Sequence, residues 1–170
     1  MGAVSEQIIA IGERQVGLPL PYLHTLADAS PSAFTKWMLA MPVANHRKAA
    51  PRDAWHLARL AATQAQDCGT CVQVVVNAAR RDGVPAETLR AALDGREEAL
   101  TDMDRLAFGF GRAVAAQALD VPDWVARVEE TFGHEAHVEL AVAVAMCQIF
   151  PVVKRGLGQA VACSLVTVEV

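Results

Sequence analysis

Through most of the chain, apolar residues return every three to four positions with polar ones between them, the period of helices lying on a core. Between about Pro51 and Gln66, Leu57, Leu60, Ala61 and Ala65 make one apolar stripe, while Arg52, His56, Arg59, Thr63 and Gln66 make the opposite, polar one. That spacing predicts a helix whose polar stripe is its solvated side. Ser30-Pro31 reads as an N-cap with proline at the first helical position, opening a helix that Pro42 stops at about Met41. Asp67 predicts a cap for a helix from Cys68 to about Arg81, closed by Asp82-Gly83, with Val72, Val75, Val76 and Ala79 facing inward. Val84-Pro85 starts a short helix ending near Gly95, Thr101 with Asp104 caps one running through Leu119, and Pro122 opens another through Thr131. The segment from about His134 to Arg155 is apolar nearly all round, which predicts a central helix. Only the tail SLVTVEV, residues 164–170, alternates like a strand, and one short strand cannot build a sheet. The fold class expected is all-α, a bundle of about seven to eight helices around the apolar C-terminal one.

Composition narrows the picture without changing it. With 170 residues, 53% of them apolar, and no clustered linker, the chain reads as one domain over 1–170, with 1–20 as an N-terminal extension and 160–170 as a tail. Fifteen basic against nineteen acidic side chains give a net charge of -4, and no basic block interleaves with aromatics, so nucleic acid is not an expected partner. The start, MGAVSEQIIAIGER, lacks a basic segment before a long apolar one, and Ser5 falls one place short of the myristoylation pattern. The greasiest stretch, VELAVAVAMCQIFPVV from Val138, is interrupted by Glu139, Gln148 and Pro151 and is shorter than a membrane span, so no membrane is expected. Four cysteines, Cys68, Cys71, Cys147 and Cys163, are too few for a secreted disulfide framework, which points to a reducing cytoplasm.

The chemistry concentrates at Cys68-Gly69-Thr70-Cys71. On a helix, positions i and i+3 lie about 5 to 6 Å apart on one side, within the Cα separation that a disulfide requires. With Asp67 as cap, Cys68 would take the first helical position, where free backbone N–H groups and the helix dipole favour a thiolate; the Asp67 carboxylate pushes the other way. Zinc would need two further ligands at a matching spacing, and none accompanies the pair. Two small buried residues are the plain alternative. His134 and His137, with Glu135 and Glu139 nearby, are three apart rather than the four of helical zinc pairs, so no metal is expected there either. Trp37, Trp55, Trp124, Phe108 and Phe110 fall at core positions, some of them candidates for lining a small apolar pocket. Gly109 and Gly111 inside a helix predict a close helix approach, and Cys147 a buried small residue.

The runs PYLHTLADASPSAFTKWMLA, AWHLARLAATQAQDCGTCVQVVVNAARRDGV, LTDMDRLAFGFGRAVA and FGHEAHVELAVAVAMCQIFPVVKRGLG, over residues 21–158, resemble the AhpD-like alkylhydroperoxidase and carboxymuconolactone decarboxylase family, in its peroxidase-related branch. The resemblance implies an AhpD-like helical bundle, a homo-oligomer (dimer, trimer or hexamer), and an antioxidant thiol peroxidase without cofactor or metal. Its substrate would be a small organic hydroperoxide and its reductant an external dithiol protein. Family members with the redox pair carry a Glu twelve residues before the first Cys and a His four after the second as a proton relay. Here His56 stands at the first place and Val75 at the second. An imidazole can accept or deliver a proton near neutrality, so the expected catalytic set is Cys68, Cys71 and His56. By resemblance Cys71 attacks and Cys68 resolves; by helix-terminus physics Cys68 is the better thiolate. Two other outcomes are carried forward: a thiol-disulfide or redox-sensing module without peroxide turnover, and a carboxymuconolactone decarboxylase-like lyase that would use Arg59 or His56 and survive loss of both thiols.

Overall fold

The segment with the two opposed stripes forms a helix, Arg52–Gln64, and it is the most enclosed element of the molecule: residues 54–63 are buried without a break. The structure, a computed structural model, describes residues 2–159 and 166–168, and every regular element among them is helical. In chain order these are α1 Ala3–Val16, α2 Pro21–Ala29, α3 Pro31–Met38, α4 Ala40–Ala44, α5 Arg52–Gln64, α6 Gly69–Arg81, α7 Ala86–Leu93, α8 Asp102–Ala115, α9 Val121–Phe132 and α10 His134–Gly156, with a 3-10 turn at Glu97–Ala99. The fold is all-α. Cys163 and the start of the SLVTVEV tail lie outside the described residues; within 166–168 the chain forms no strand.

Local signals set most boundaries. Ser30 Oγ accepts from the Ala33 N–H, and Thr101 Oγ1 accepts from the Asp104 N–H at 3.2 Å, so both expected caps form. Pro42 does not stop its helix. The break falls at Leu39, and Pro42 sits within the first turn of α4, where a missing N–H leaves no carbonyl unsatisfied. The helix expected to reach Leu119 ends at Ala115, and Gln117 takes a left-handed φ of 55° after it.

Packing explains why the polar stripe of α5 is not solvated. Here α8 covers one side of α5 and α10 another, so His56, Arg59 and Thr63 are only 2%, 7% and 1% exposed. Two of them find partners inside: Thr63 donates to the Arg59 carbonyl at 2.8 Å, and the Arg59 guanidinium lies 4.0 Å from the Trp55 ring centre and donates from Nε to Cys147 Sγ. The α5–α8 contact is close enough to require glycine. A Cβ on Gly111 would clash with the Ala58 backbone carbonyl on α5, and where α8 meets α9 one on Gly109 would clash with the Trp124 ring.

The C-terminal helix α10 packs on α5, α8, α9 and α4. At 23 residues it is long and apolar enough, by length and composition, to cross a bilayer, more than the interrupted stretch from Val138 implied. It nevertheless carries Glu139, 4% exposed, whose carboxylate accepts the backbone N–H groups of Lys48, Ala49 and Ala50. Two apolar clusters result: a large one around α5, α6, α8 and α10, and a smaller one of Ile9, Leu20, Tyr22, Leu23, Ala27 and Phe34 from α1 to α3. Between them a cavity of about 460 Å³ remains.

Candidate functional site: a buried thiol pair between two cavities

Helices α5 and α6 form a hairpin whose tight end carries the cysteines. The turn is made by Asp67, which adopts a left-handed φ of 48°. Its side chain therefore does not cap α6; Cys68 itself occupies the N-cap position, and the backbone N–H groups of Cys71 and Val72 both bond its carbonyl. Both thiols are free and buried, at 1% and 6% exposure, and their sulfurs are hydrogen-bonded 2.8 Å apart.

The pair is electrostatically split. Burial raises the Cys68 pKa, but the Cys71 thiol, the Thr70 hydroxyl, the Cys71 amide and the charge of Lys154 outweigh it and leave the group below the usual thiol value. For Cys71, burial and the neighbouring Cys68 push the thiol up to about 12 against the same Lys154 charge. Cys68 is thus the more acidic thiol of the pair and Cys71 the one that keeps its proton to higher pH. The apolar wall at Val75, 4% exposed, contributes to this, as the missing base implied.

Lys154 reaches the pair from α10. It is 6% exposed, donates to Thr70 Oγ1 at 3.3 Å, and its Nζ lies 5.4 Å from the Tyr22 ring centre. Tyr22 completes this wall, its own pKa raised to about 12, chiefly by burial and also by Cys71. Neither residue belongs to the expected set. A signal for Lys154 exists in the sequence: it stands seven residues after Cys147, two turns along one side of the helix.

His56 is not brought to the thiols. Its Nε2 bonds Asp82 Oδ2 at 3.0 Å, and its Nδ1 has no partner among the described residues. Asp82 is the C-cap of α6, about 16 Å of helix rise from Cys71. Burial drives the His56 pKa down to about 4 despite the Asp82 carboxylate, with Arg59 and Arg47 acting in the same direction as burial. The neutral ring then donates from Nε2 to the Asp82 carboxylate.

The pair separates two spaces. Cys71 lines the cavity between the apolar clusters, with Tyr22, Arg59, Val75, Cys147 and Lys154. Cys68 lines a second space of about 570 Å³ with Asp67, Val72, Arg90, Val166 and Val168. There the tail is held by its backbone: Gln73 donates to the Thr167 carbonyl at 2.8 Å and accepts the Thr167 N–H at 2.7 Å, and Arg90 donates to the Val168 carbonyl. Elsewhere, Glu129 Oε1 bonds the Nδ1 atoms of both His134 and His137, a grouping that joins α9 to α10 and that includes neither Glu135 nor Glu139.

The profile of the carboxymuconolactone decarboxylase family matches residues 31–119, more than half of the chain, from α3 to just beyond α8. The chain belongs to that family. The AhpD-like resemblance is thereby a family relationship, and the matched segment contains the CxxC hairpin. Tyr22, Cys147 and Lys154, which wall the thiols, lie outside the segment that matches the family. No curated protein and no solved structure matches the chain.

Proposed function

We propose that this carboxymuconolactone decarboxylase family member is a CxxC thiol oxidoreductase that reduces an organic hydroperoxide and is itself re-reduced by an external dithiol protein. The reading is carried by one observation: two free sulfurs 2.8 Å apart, the Cys68 thiol the more acidic of the two, beside a buried lysine. Cys71 faces the apolar cavity and is the sulfur the hydroperoxide meets. As Cys71 attacks the terminal peroxide oxygen, its proton passes to the Cys68 thiolate and the O–O bond breaks. The departing alkoxide takes a proton from Lys154, which fills the role expected of His56. Cys68 then attacks the Cys71 sulfenic acid, water leaves, and a Cys68–Cys71 disulfide forms. The sum is ROOH plus two thiols giving ROH, water and a disulfide; an external dithiol restores the pair by exchange.

The test is consumption of an alkyl hydroperoxide by the parent, Cys68→Ser and Cys71→Ser proteins, with mass spectrometry locating the bridge. The parent should form the Cys68–Cys71 disulfide, and both variants should lose turnover. Variants that consume peroxide as fast as the parent overturn the reading. A second reading, thiol-disulfide exchange without peroxide turnover, is favoured by Val75 in place of a base and by His56 turned to Asp82. It predicts that a disulfide oxidant closes the bridge while hydroperoxide is spared.

A further inference from the structure

The cavity beside Cys71 has an unusual charge balance. Its walls are mostly aliphatic and aromatic, yet three of its lining residues are cationic, Arg59, Arg81 and Lys154, and among the described residues no Asp or Glu lines it. Two of these cations are buried, Arg59 at 7% and Lys154 at 6% exposure. A buried cation is strongly disfavoured unless an anion or a full set of acceptors answers it. Lys154 is answered by the thiol pair, whose ionisation it favours. Among the described residues Arg59 is not: its contacts are the Cys147 sulfur, a weak acceptor, and the face of Trp55. These contacts hold the guanidinium in place without neutralising it.

We propose that this cavity is a binding site for an amphipathic carboxylate, with Arg59 as its anchor. A planar guanidinium fixed on an indole face presents paired N–H donors of the geometry that a carboxylate accepts in bidentate fashion. The remaining walls, including Leu23, Met38 and Phe150, suit an apolar body, and about 460 Å³ gives room for about fifteen non-hydrogen atoms. With Cys71 in the same wall, and resting on the redox reading above, the substrate class becomes a hydroperoxide borne on an apolar chain that ends in a carboxylate.

The probe is decanoate, with 1-decanol as its uncharged counterpart, titrated by calorimetry into the full-length protein and its Arg59→Met and Arg59→Lys variants. Decanoate should bind at least tenfold more tightly than decanol; Arg59→Met should abolish that preference while leaving decanol binding unchanged, and Arg59→Lys should restore part of it. Because the uncompensated cation is gone, Arg59→Met should also unfold at or above the parent's midpoint, which separates loss of the anchor from misfolding. Equal binding of the two probes, unchanged decanoate binding in Arg59→Met, or no binding of either probe would overturn the proposal. The titration is repeated on Cys68→Ser/Cys71→Ser, where binding should persist. A failed peroxidase assay alongside decanoate binding would thus remove the redox reading alone, and the reverse result would remove this site alone.

Discussion

Lys154 shows what a single side chain contributes at this site. Its charge lowers the pKa of both sulfurs, so Lys154→Met should shift the pH profile of Cys68 alkylation by iodoacetamide to higher pH, slowing the reaction severalfold at pH 7. An unshifted profile would mean that the helix terminus and Thr70 suffice. His56 makes a second residue-scale prediction, concerning stability. The unfolded imidazole takes up its proton near pH 6.5, the folded one only near 4. Between those values unfolding binds a proton, so stability is complete above about pH 6.5 and falls as the pH drops toward 4, by about 3 kcal/mol. Urea unfolding at pH 7 and pH 4.5 should show this loss in the parent and a smaller one in His56→Gln.

At the scale of elements, the α5–α8 contact depends on having no side chain at Gly111. Alanine favours a helix by about 1 kcal/mol over glycine, yet here its Cβ would meet backbone on α5, which cannot swing aside. Gly111→Ala should therefore destabilise by about 2 kcal/mol or more in chemical denaturation. Gly109→Ala should cost less, since the atoms it meets are the far edge of the Trp124 ring, which can turn. The sequence marked both glycines as a close approach but could not say which neighbour was rigid. The tail gives another element-scale expectation. Gln73 reads the backbone of Thr167 on both sides, and Val166 and Val168 line the space at Cys68. Gln73→Ala should loosen that cover and raise Cys68 alkylation several-fold, followed by peptide mass mapping.

For the whole molecule, Glu139 joins α10 to the chain that enters α5. Although burial raises its pKa, the amides of Ala50, Lys48 and Ala49 outweigh that and hold the carboxyl below its usual range. A depressed folded value contributes stability above the unfolded pKa, about 4.3, which is lost as pH falls through the folded one. Glu139→Ala should leave three N–H groups without their acceptor and cost about 3 kcal/mol, measured by thermal or urea unfolding at pH 7.

Periodicity, caps and spacing alone determined the all-α class, most helix starts, the α5–α6 hairpin and the thiol pair, because a helix and an i, i+3 contact are local consequences of the chain. The resemblance carried by the CxxC hairpin reached the family for the same reason. Tertiary structure decided what surrounds the thiols. Whether the polar stripe of α5 meets water depends on α8 and α10 closing over it, and no pattern within α5 records that. The resemblance leads one to expect His56 as a relay, yet its ring bonds Asp82 at the far end of α6, because a side chain's direction follows from its partners rather than its place in the sequence. Lys154, eighty-three residues after Cys71 in the chain, becomes its neighbour only when α10 packs on α5, and the charge that lowers the pKa of both thiols arrives with it.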